Sequence, residues 1–424
     1  MTSSGAPSLR KTFPASLPIR EGKEDPEPDR APPFFAGSWG EDGADGRRGE
    51  SLVRVRDIVD VLEELAPRAF ALRDDSVGLM IGRSDKPVRR LLVALEVDRR
   101  VLAEAEAAEA DLLVVHHPPI FRPLADLRTD RGNVAVLARL LSEDRSVYAM
   151  HTNYDAAPGG MNDVLARRIG LANVRPFGPG SEVGYVKVVV FVPEGHAREV
   201  LRAMAEAGAG HIGNYDHAAF LGRGTGTFRP LPGADPFVGE VGRLEEVEER
   251  RLEMLVPEER LSRVLAAMRR VHPYEEVAYD VYPLREPRRE VGLGRIGDLE
   301  SPTPLGEFAR EVKRRLARPT VRVVGPLERE VRRVAVVGGS GSSWAVAARE
   351  AGADVLVTGD VGYHRAREAL DTGIALLDVG HDVEAVFVPE VAARLRRAFA
   401  ERGWEVEVRE SGVTWDPFVT LGCG

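Results

Sequence analysis

One pattern of apolar and polar positions occurs twice along the chain. The first copy is RRLLVALEVDRRVLAEAEAAEADLLVVHH, and the second is RRVAVVGGSGSSWAVAAREAGADVLVTGD. In both copies an apolar run, a turn, a helical Ala- and Glu-rich stretch and a second apolar run follow one another, and 22 residues separate Arg89 from Asp111 and Arg332 from Asp354. Apolar strands without polar alternation are typical of parallel sheets that are covered on both faces. The sequence therefore predicts two similar α/β lobes with mostly parallel sheets, built from βαβ units.

A different pattern lies between the two copies. Over residues 180–290 the predicted strands are GYVKVVVFVP, RLEMLVP and EVAYDVYPL, the predicted helices are HAREVLRAMAEAG and EERLSRVLAAMRR, and the Gly-rich stretches HIGNYDHAAF and GTGTFRPLP predict a hairpin pair. This order is typical of a ferredoxin-like α+β fold inserted into a host domain. We therefore expect a first lobe at 51–179, an insert at 180–290 and a second lobe at 291–424, the two lobes forming one composite domain.

The first 50 residues contain 7 Pro and 7 Gly but only three residues among Leu, Ile and Val. Such a segment cannot bury enough apolar surface to fold, so it predicts a disordered tail. It has no apolar run of the roughly 7–15 residues found in secretory signals, and its acidic stretches EGKEDPEPD and GEDGADG are untypical of transit peptides. A mistaken upstream start codon is the alternative explanation.

Composition narrows the class of protein. The 424 residues are 43% hydrophobic and 29% charged, with a formal net charge of −9 and a pI near 5.7. This balance makes nucleic acid an unlikely partner, and we expect no membrane-spanning segment. The single cysteine, Cys423, allows no intramolecular disulfide, which favours a cytoplasmic location and excludes metal sites built on cysteine clusters.

Candidate metal ligands follow four apolar strands. His116-His117 follows DLLVV, HTNYD (151–155) follows SVYAM, TGDVGYH (358–364) follows ADVLV, and GHDVE (380–384) follows IALLDV. Ligand sites in open parallel sheets lie outside the carboxyl ends of the strands, so these four ends are expected to converge. Three imidazoles and two carboxylates then exceed the need of one tetrahedral ion and suit two ions about 3.5–4 Å apart. The candidate ligands are His116, His117, Asp155, His381 and Glu384.

Each candidate also has a structural interpretation. The paired histidines would serve as packing or surface groups, Asp155 as an Asx-turn or helix cap, and His381 with Glu384 as the solvated start of a helix. In the insert, HIGNYDH (211–217) and HPYEE (272–276) contain further ligand types, which we interpret as hairpin and interface residues. The hypothesis of a dinuclear site rests on all the pieces falling at strand ends.

Two weaker sets of candidates lie beside the predicted ligands. His151 and His364 would transfer protons or only form hydrogen bonds. Gly338–Ser343 joins a strand to a helix, so backbone N–H groups at Gly339, Ser340 and Gly341 would receive a phosphate. A tight turn is the alternative for this loop, which is not a GxGxxG because Trp344 stands where the third glycine should be.

Five stretches of the sequence resemble the motifs of the dinuclear-metal-centre proteins known as GTP cyclohydrolase 1 type 2 homologues. They are VVHHPPIF, HTNYDAAPGGMND, GLGRIGDL, VLVTGDVGYHRAREA and DVGHDVE. The resemblance covers about 51–176 and 291–424, and the insert is similar to that of longer bacterial members, a module of the PII and CutA type. It implies that His116, His117, Asp155, His381 and Glu384 bind two metal ions. Some members carry the last Glu four residues after its His, where Ala385 stands here, so Glu384 takes that role.

The resemblance also implies a homohexameric toroid, a dimer of trimers whose metal centres face an internal cavity. The expected chemistry is metal-assisted hydrolysis, in which activated water opens the imidazole ring of the guanine in GTP and formate is lost. A phosphoesterase or nucleotide pyrophosphatase is the alternative enzyme. A metal-dependent regulatory assembly with a ligand-sensing insert is the alternative of another class. The ions would be Zn, Fe, Mn, Co or Ni, because His and carboxylate ligands accept all of them.

Overall fold

The computed structural model describes residues 52–130, 132–178, 184–285, 290–413 and 416–418. The predicted tail at 1–50 and Cys423 lie outside the described residues. The helices are α1 (Val55–Leu65), α2 (Arg99–Ala107), α3 (Gly132–Ser142), α4 (Thr152–Ala156), α5 (Met161–Ile169), α6 (Ala197–Glu206), α7 (Leu261–Val271), α8 (Leu305–Arg315), α9 (Ala345–Glu350), α10 (Tyr363–Thr372) and α11 (Phe387–Arg402). The 3₁₀-helices are Arg68–Phe70, Glu194–His196, Glu258–Arg260, Gly341–Trp344 and His381–Val386.

The strands form three sheets. They are β1 (Gly78–Ile81), β2 (Arg90–Ala94), β3 (Leu112–Val115), β4 (Ser146–Ala149), β5 (Ala172–Phe177), β6 (Tyr185–Pro193), β7 (Ala219–Phe228), β8 (Glu245–Pro257), β9 (Tyr279–Pro283), β10 (Gly294–Pro304), β11 (Arg322–Val324), β12 (Glu330–Val336), β13 (Val355–Thr358), β14 (Ala375–Asp378) and β15 (Glu407–Glu410). The sheet orders are β1-β4-β3-β2-β15, β11-β14-β13-β12-β10-β5 and β7-β8-β6-β9.

The repeated sequence pattern produces the same local structure in both lobes. Strands β2, β3 and β4 are parallel in the first sheet, and β12, β13 and β14 are parallel in the second. The carboxylate of Asp111 accepts the backbone N–H groups of Arg89 and Arg90 at 2.8 and 3.0 Å. Asp354 accepts those of Arg332 and Arg333 at 2.9 and 2.8 Å. In each lobe the 22-residue spacing therefore reflects one aspartate whose carboxylate links the starts of two neighbouring strands by hydrogen bonds. The predicted α/β fold class is confirmed.

The two lobes exchange edge strands. Strand β5 precedes the insert but pairs with β10 of the second sheet, and β15 follows the second lobe but pairs in parallel with β2 of the first. One apolar cluster contains Leu91 and Leu112 of the first sheet, Val334 and Val355 of the second, and Phe387 of α11. The lobes thus share a core, as expected for a composite domain.

The insert has the ferredoxin-like topology that the sequence predicts. In chain order its strands and helices are β6, α6, β7, β8, α7 and β9, and all three strand pairings are antiparallel. The hairpin differs from the prediction, because Ala219–Phe228 is one continuous strand that pairs with the long β8. Its glycines recur at every second residue and so keep the strand period instead of forming the predicted turns. His272 bridges Phe191 O and the N–H of Tyr274 at 3.0 and 3.1 Å, and it lies in the connection from α7 to β9 rather than in the predicted hairpin.

None of the described helices is long and apolar enough to cross a membrane.

Candidate metal centre

The carboxyl ends of β3, β4, β13 and β14 meet at one place. His116 and His117 directly follow β3, and the chain after β4 carries Asp155 within α4. His381 and Glu384 lie in the 3₁₀-helix that follows β14. These side chains come from both lobes, so the site forms only when the two sheets pack together.

Glu384 lies between the histidines. Its Oε1 is 3.5 Å from His116 Nε2, whereas its Oε2 is 3.0 Å from His117 Nε2 and 3.1 Å from His381 Nε2. Asp155 Oδ1 lies 3.8 Å from His116 Nε2. The two oxygens of one carboxylate therefore face two different sets of nitrogen and oxygen ligands.

Three of these residues could bind a metal ion as they stand. Among the described residues, ligand atoms of His116, His117 and Glu384 all lie within 4.8 Å of one another. His116 Nε2 and Asp155 Oδ1 are buried and have no hydrogen-bond partner within the described part of the chain. Buried polar atoms without partners are costly, and a cation between these two would compensate both. The donor set therefore fits a divalent metal.

The remaining ring nitrogens of the histidines are held by the protein. His116 Nδ1 lies 2.7 Å from the carbonyl of Met150 and donates to it, which leaves Nε2 on the side of Asp155 and Glu384. His381 Nδ1 is bonded to Asp360 at 2.6 Å, and His117 Nδ1 lies 3.6 Å from Glu96. Such partners fix the orientation and tautomer of a ligating imidazole.

The ionisable side chains of the site shift one another's pKa values. Burial opposes protonation of His117, but hydrogen bonds to Glu384 and Glu96 raise its pKa to about 9. The hydrogen bond to Glu384 likewise raises the pKa of His381 to about 9. Burial and the Glu384 charge raise the pKa of Asp155 to about 8. The imidazoles outweigh the cost of burial at Glu384 and hold its pKa well below the ordinary value.

The spacing of His381 and Glu384 follows from the local helix type. The segment His381–Val386 is a 3₁₀-helix. With three residues per turn, side chains at i and i+3 are eclipsed, so both residues point the same way. A ligand four residues after His381, where Ala385 stands, would suit an α-helical turn instead. The geometry accounts for Glu384 as the carboxylate of the site.

His151 lies at the edge of the cluster and is paired with an aspartate. Its ring centroid is 5.3 Å from that of His116, and its Nδ1 is 2.8 Å from Asp75 Oδ1. Asp75 also accepts hydrogen bonds from the backbone and hydroxyl of Thr152. Burial would raise the pKa of Asp75, but these bonds outweigh it and lower the pKa to about 2. His151 is therefore held with Nε2 free for another contact.

The other predicted candidates lie in different surroundings. His364 is exposed at the start of α10, where its ring contacts Tyr363. The Gly338–Ser343 loop packs beneath Glu384, since a Cβ added at Gly339 would lie 2.3 Å from Glu384 Oε1. The N–H of Gly341 donates to Thr358 inside the fold. Phosphate binding at Gly339, Ser340 and Gly341 stays a prediction, as does proton transfer by His364.

Sequence analysis missed three carboxylates that orient the histidines. Glu96 follows β2 and Asp360 follows β13, so the rule about strand ends would have found both. Asp360 also has a positive φ of 51°, a backbone conformation that Asp tolerates better than most residues. Asp75 belongs to the stretch DDSVGLMIG, where no strand end or periodicity marks it.

The GLGRIGDL motif supplies a buried cation that holds the backbone after Asp155. Arg295 is 2% exposed, and its Nε donates to Asp163 at 2.8 Å. Its other nitrogens donate to four carbonyls, those of Ala156, Ala157, Gly292 and Gly294. This network fixes the end of α4 and thereby the position of Asp155.

This chain resembles known proteins over most of its length. The family model of Duf34/NIF3 (NGG1p interacting factor 3) matches residues 53–417. The chain is 43% identical over 364 residues to a GTP cyclohydrolase 1 type 2 homolog of Halalkalibacterium halodurans, covering 86% of this chain and 98% of that one. A homolog of the same name from Bacillus subtilis is 41% identical over 369 residues, 87% of this chain and 99% of that one. The crystal structure of a Bacillus cereus protein related to NIF3 superposes with a TM-score of 0.79 at 42% identity, covering 87% of this chain and all of that one. This chain therefore belongs to the Duf34/NIF3 family.

Proposed function

We propose that this protein is a dinuclear divalent-metal hydrolase in which His116, His117, Asp155, His381 and Glu384 would hold the ions. The observation that carries the proposal is the division of one carboxylate between two sets of ligands. Glu384 Oε1 faces His116, and Glu384 Oε2 faces His117 and His381. Asp155 completes the first set. A single ion would need only one of these sets.

Divalent ions at such a centre supply a nucleophile by lowering the pKa of water from about 15.7 toward about 7. The chain would supply the base beside it. Asp75 accepts the Nδ1 hydrogen of His151, which leaves Nε2 as the proton acceptor next to His116 and His117. Burial of Glu384 and Asp155 keeps bulk water away from the ligand carboxylates. His151 then moves the proton out of the site, and His364 remains the second candidate for this role.

The relatives' name favours opening of the guanine imidazole ring of GTP with loss of formate. A phosphoesterase or nucleotide pyrophosphatase is the competing hydrolase, and the Gly-rich loop beneath Glu384 suits a substrate with phosphate. The alternative that involves no catalysis is a regulatory assembly that binds metal. On the basis of the family resemblance we also propose that the protein is a cytoplasmic homohexamer, formed as a dimer of trimers. Sedimentation of the purified protein would test this by comparing its mass in solution with the 46.3 kDa of one chain.

The test combines metal content with product analysis. Wild type is expected to hold about two ions per chain and to release formate from GTP, and the double variant His116→Ala/His117→Ala is expected to lose both properties. His364→Ala is the control for removal of an exposed imidazole and should keep its metal. Phosphate release without formate would establish the phosphoesterase instead. Two ions with neither product would favour the regulatory assembly, and a metal-free wild type would refute the site itself.

A further inference from the structure

The insert contains a cavity of about 560 Å³ that lies apart from the metal centre. Leu252 and Met254 of β8 pack in the core beneath α6 and α7. Side chains alternate along a strand, so Glu249 and Arg251, which line the cavity, face the opposite side. Cavities of about 300–1,000 Å³ with apolar walls and a few polar groups are typical of small-molecule sites. The aromatic wall residues are Phe191, Phe228, Phe237 and Tyr274.

Glycines keep the floor of this cavity bare. Gly224 and Gly226 of β7 line the cavity and lie opposite β8, with Gly224 directly opposite Glu249. Residues paired in this way share a face of the sheet. A Cβ added at Gly224 would meet nothing within 4 Å, whereas one at Gly226 would lie 2.2 Å from Glu249 Oε2. Glycine weakens the interior of a strand, so a glycine there marks a bulge or a position that another group approaches closely. In β7 that group would be a molecule bound in the cavity.

A buried carboxylate faces into the same space. Glu249 is 8% exposed, and its Oε1 accepts a hydrogen bond from the Tyr274 hydroxyl at 2.9 Å. Within the described residues no Lys or Arg lies at ion-pair distance from Glu249. Burying an ionised carboxylate without a cation or several donors is costly, so the cavity favours an occupant that donates hydrogen bonds.

The rim supplies positive charge. Arg223, Arg229 and Arg251 line the cavity. Arg251 is bonded to Glu253 at 2.8 Å and Arg223 lies 3.6 Å from Glu194, while Arg229 has no ion pair among the described residues. A guanidinium group is the preferred protein partner of phosphate. The cavity thus joins an acceptor at its floor to an anion-binding group at its rim.

We infer that this cavity binds a purine nucleotide whose ring donates N–H groups to Glu249. The flat ring lies among Phe228, Phe237 and Tyr274, and the phosphate reaches Arg229. Guanine carries adjacent N–H and NH₂ donors on one edge, which match the two oxygens of a carboxylate. The inference does not depend on the proposed hydrolase activity, because none of these residues belongs to the metal centre.

Calorimetric titration of the full chain with guanosine monophosphate tests this site, with inosine monophosphate as the probe that lacks the amino donor. Glu249→Gln keeps the shape and can still accept from Tyr274 but loses the paired acceptors. Gly224→Val adds a branched side chain at a position where a Cβ would meet nothing within 4 Å. Glu248→Gln is the matched control, because it removes the same charge from the exposed neighbouring position. We expect at least ten-fold weaker binding in the two cavity variants, unchanged binding in the control and weaker binding of the inosine nucleotide.

Hydrogen exchange locates the bound nucleotide. Binding should slow exchange at 223–229 and 274–278 in wild type and in a His116→Ala/His117→Ala chain alike. The inference is overturned if guanosine monophosphate does not bind, if binding survives Gly224→Val, or if protection appears only around the metal centre. It is also overturned if Gly224→Val changes the sedimentation coefficient but leaves nucleotide binding as strong as in wild type. The cavity would then be a contact with a second copy of the chain.

Discussion

The Nε2 atoms of His117 and His381 lie 3.3 Å apart although 264 residues separate the two histidines in the chain. Each ring has a pKa raised to about 9, which would place two positive charges side by side at neutral pH. Glu384 compensates them, since its Oε2 is 3.0 Å from one nitrogen and 3.1 Å from the other. A divalent cation bound by the same two nitrogens would have to displace their protons.

Metal binding is expected to release protons and to tighten as the pH rises. Metal ligands must be unprotonated, while the raised pKa values keep His117, His381 and Asp155 protonated at pH 7 in the metal-free chain. The apparent affinity for Zn²⁺ should rise from pH 7 to pH 9 and flatten above. Calorimetry in buffers of different ionisation enthalpy measures the released protons directly.

The metal-free chain should show the opposite trend in stability. A histidine whose pKa rises on folding contributes stability below its unfolded pKa, near 6.5, and loses it as the pH rises through the folded value near 9. The melting temperature of the metal-free chain should therefore fall across this range, while that of the loaded chain should hold or rise. Parallel curves for the two forms, with no proton release, would contradict the assignment of His117 and His381.

Moving the carboxylate by one position tests the role of Glu384. In Glu384→Ala/Ala385→Glu the carboxylate stands four residues after His381. Because His381–Val386 is a 3₁₀-helix, the moved side chain leaves the shared face. We expect loss of both ions, as in Glu384→Ala, measured as metal per chain. The matched control is Asp382→Asn in the same turn, where the carboxylate pairs with Arg318 and should not affect metal content. Recovery of metal in the double variant would show that the segment can adopt α-helical spacing.

Replacing Arg295 by Met should destabilise the fold and also weaken the metal centre. The substitution leaves four carbonyls without their buried donor and Asp163, whose side chain is 25% exposed, without its cation, and we expect a cost of about 3–5 kcal/mol. Arg333, whose half-exposed guanidinium is bonded to Asp298 at 3.0 Å, is the control, and its loss should cost about 0–1 kcal/mol. Urea unfolding of both variants measures the difference. Equal effects would mean that the five hydrogen bonds of Arg295 contribute little.

Much of this arrangement could be predicted from the sequence because it follows from strand periodicity. Two histidines after a buried strand must lie near a sheet edge, and the same rule about strand ends placed His381 after an apolar strand of the second lobe. The partner carboxylate Glu96 obeys the same rule and was missed only because a lone glutamate after a strand is common. Proximity between residues of separate lobes is a property of packing, which periodicity does not encode.

The remaining features depend on contacts that no local pattern records. Pairing of β15 with β2 requires the chain to return to the first sheet after the second is complete. Asp75 becomes important only because the fold brings it to His151. The glycines of β7 predict turns because glycine is common in turns. In the fold they lie on one face of a continuous strand and leave space above Glu249.

The Gly-rich loop offers a test that separates support of the metal ligand from phosphate binding. Gly339 has a φ of +57°, and a Cβ there would lie 2.3 Å from Glu384 Oε1. Gly339→Ala should therefore displace the carboxylate and lower the metal content. Gly373→Ala is the matched control, because Gly373 has a φ of +76° with nothing within 4 Å of its Cβ, so it bears the backbone strain without the clash. If Gly339→Ala keeps both ions but raises KM for a phosphate-bearing substrate, the loop contacts the substrate. Loss of metal in Gly339→Ala but not in Gly373→Ala would show that position 339 must be glycine to leave space for the Glu384 side chain.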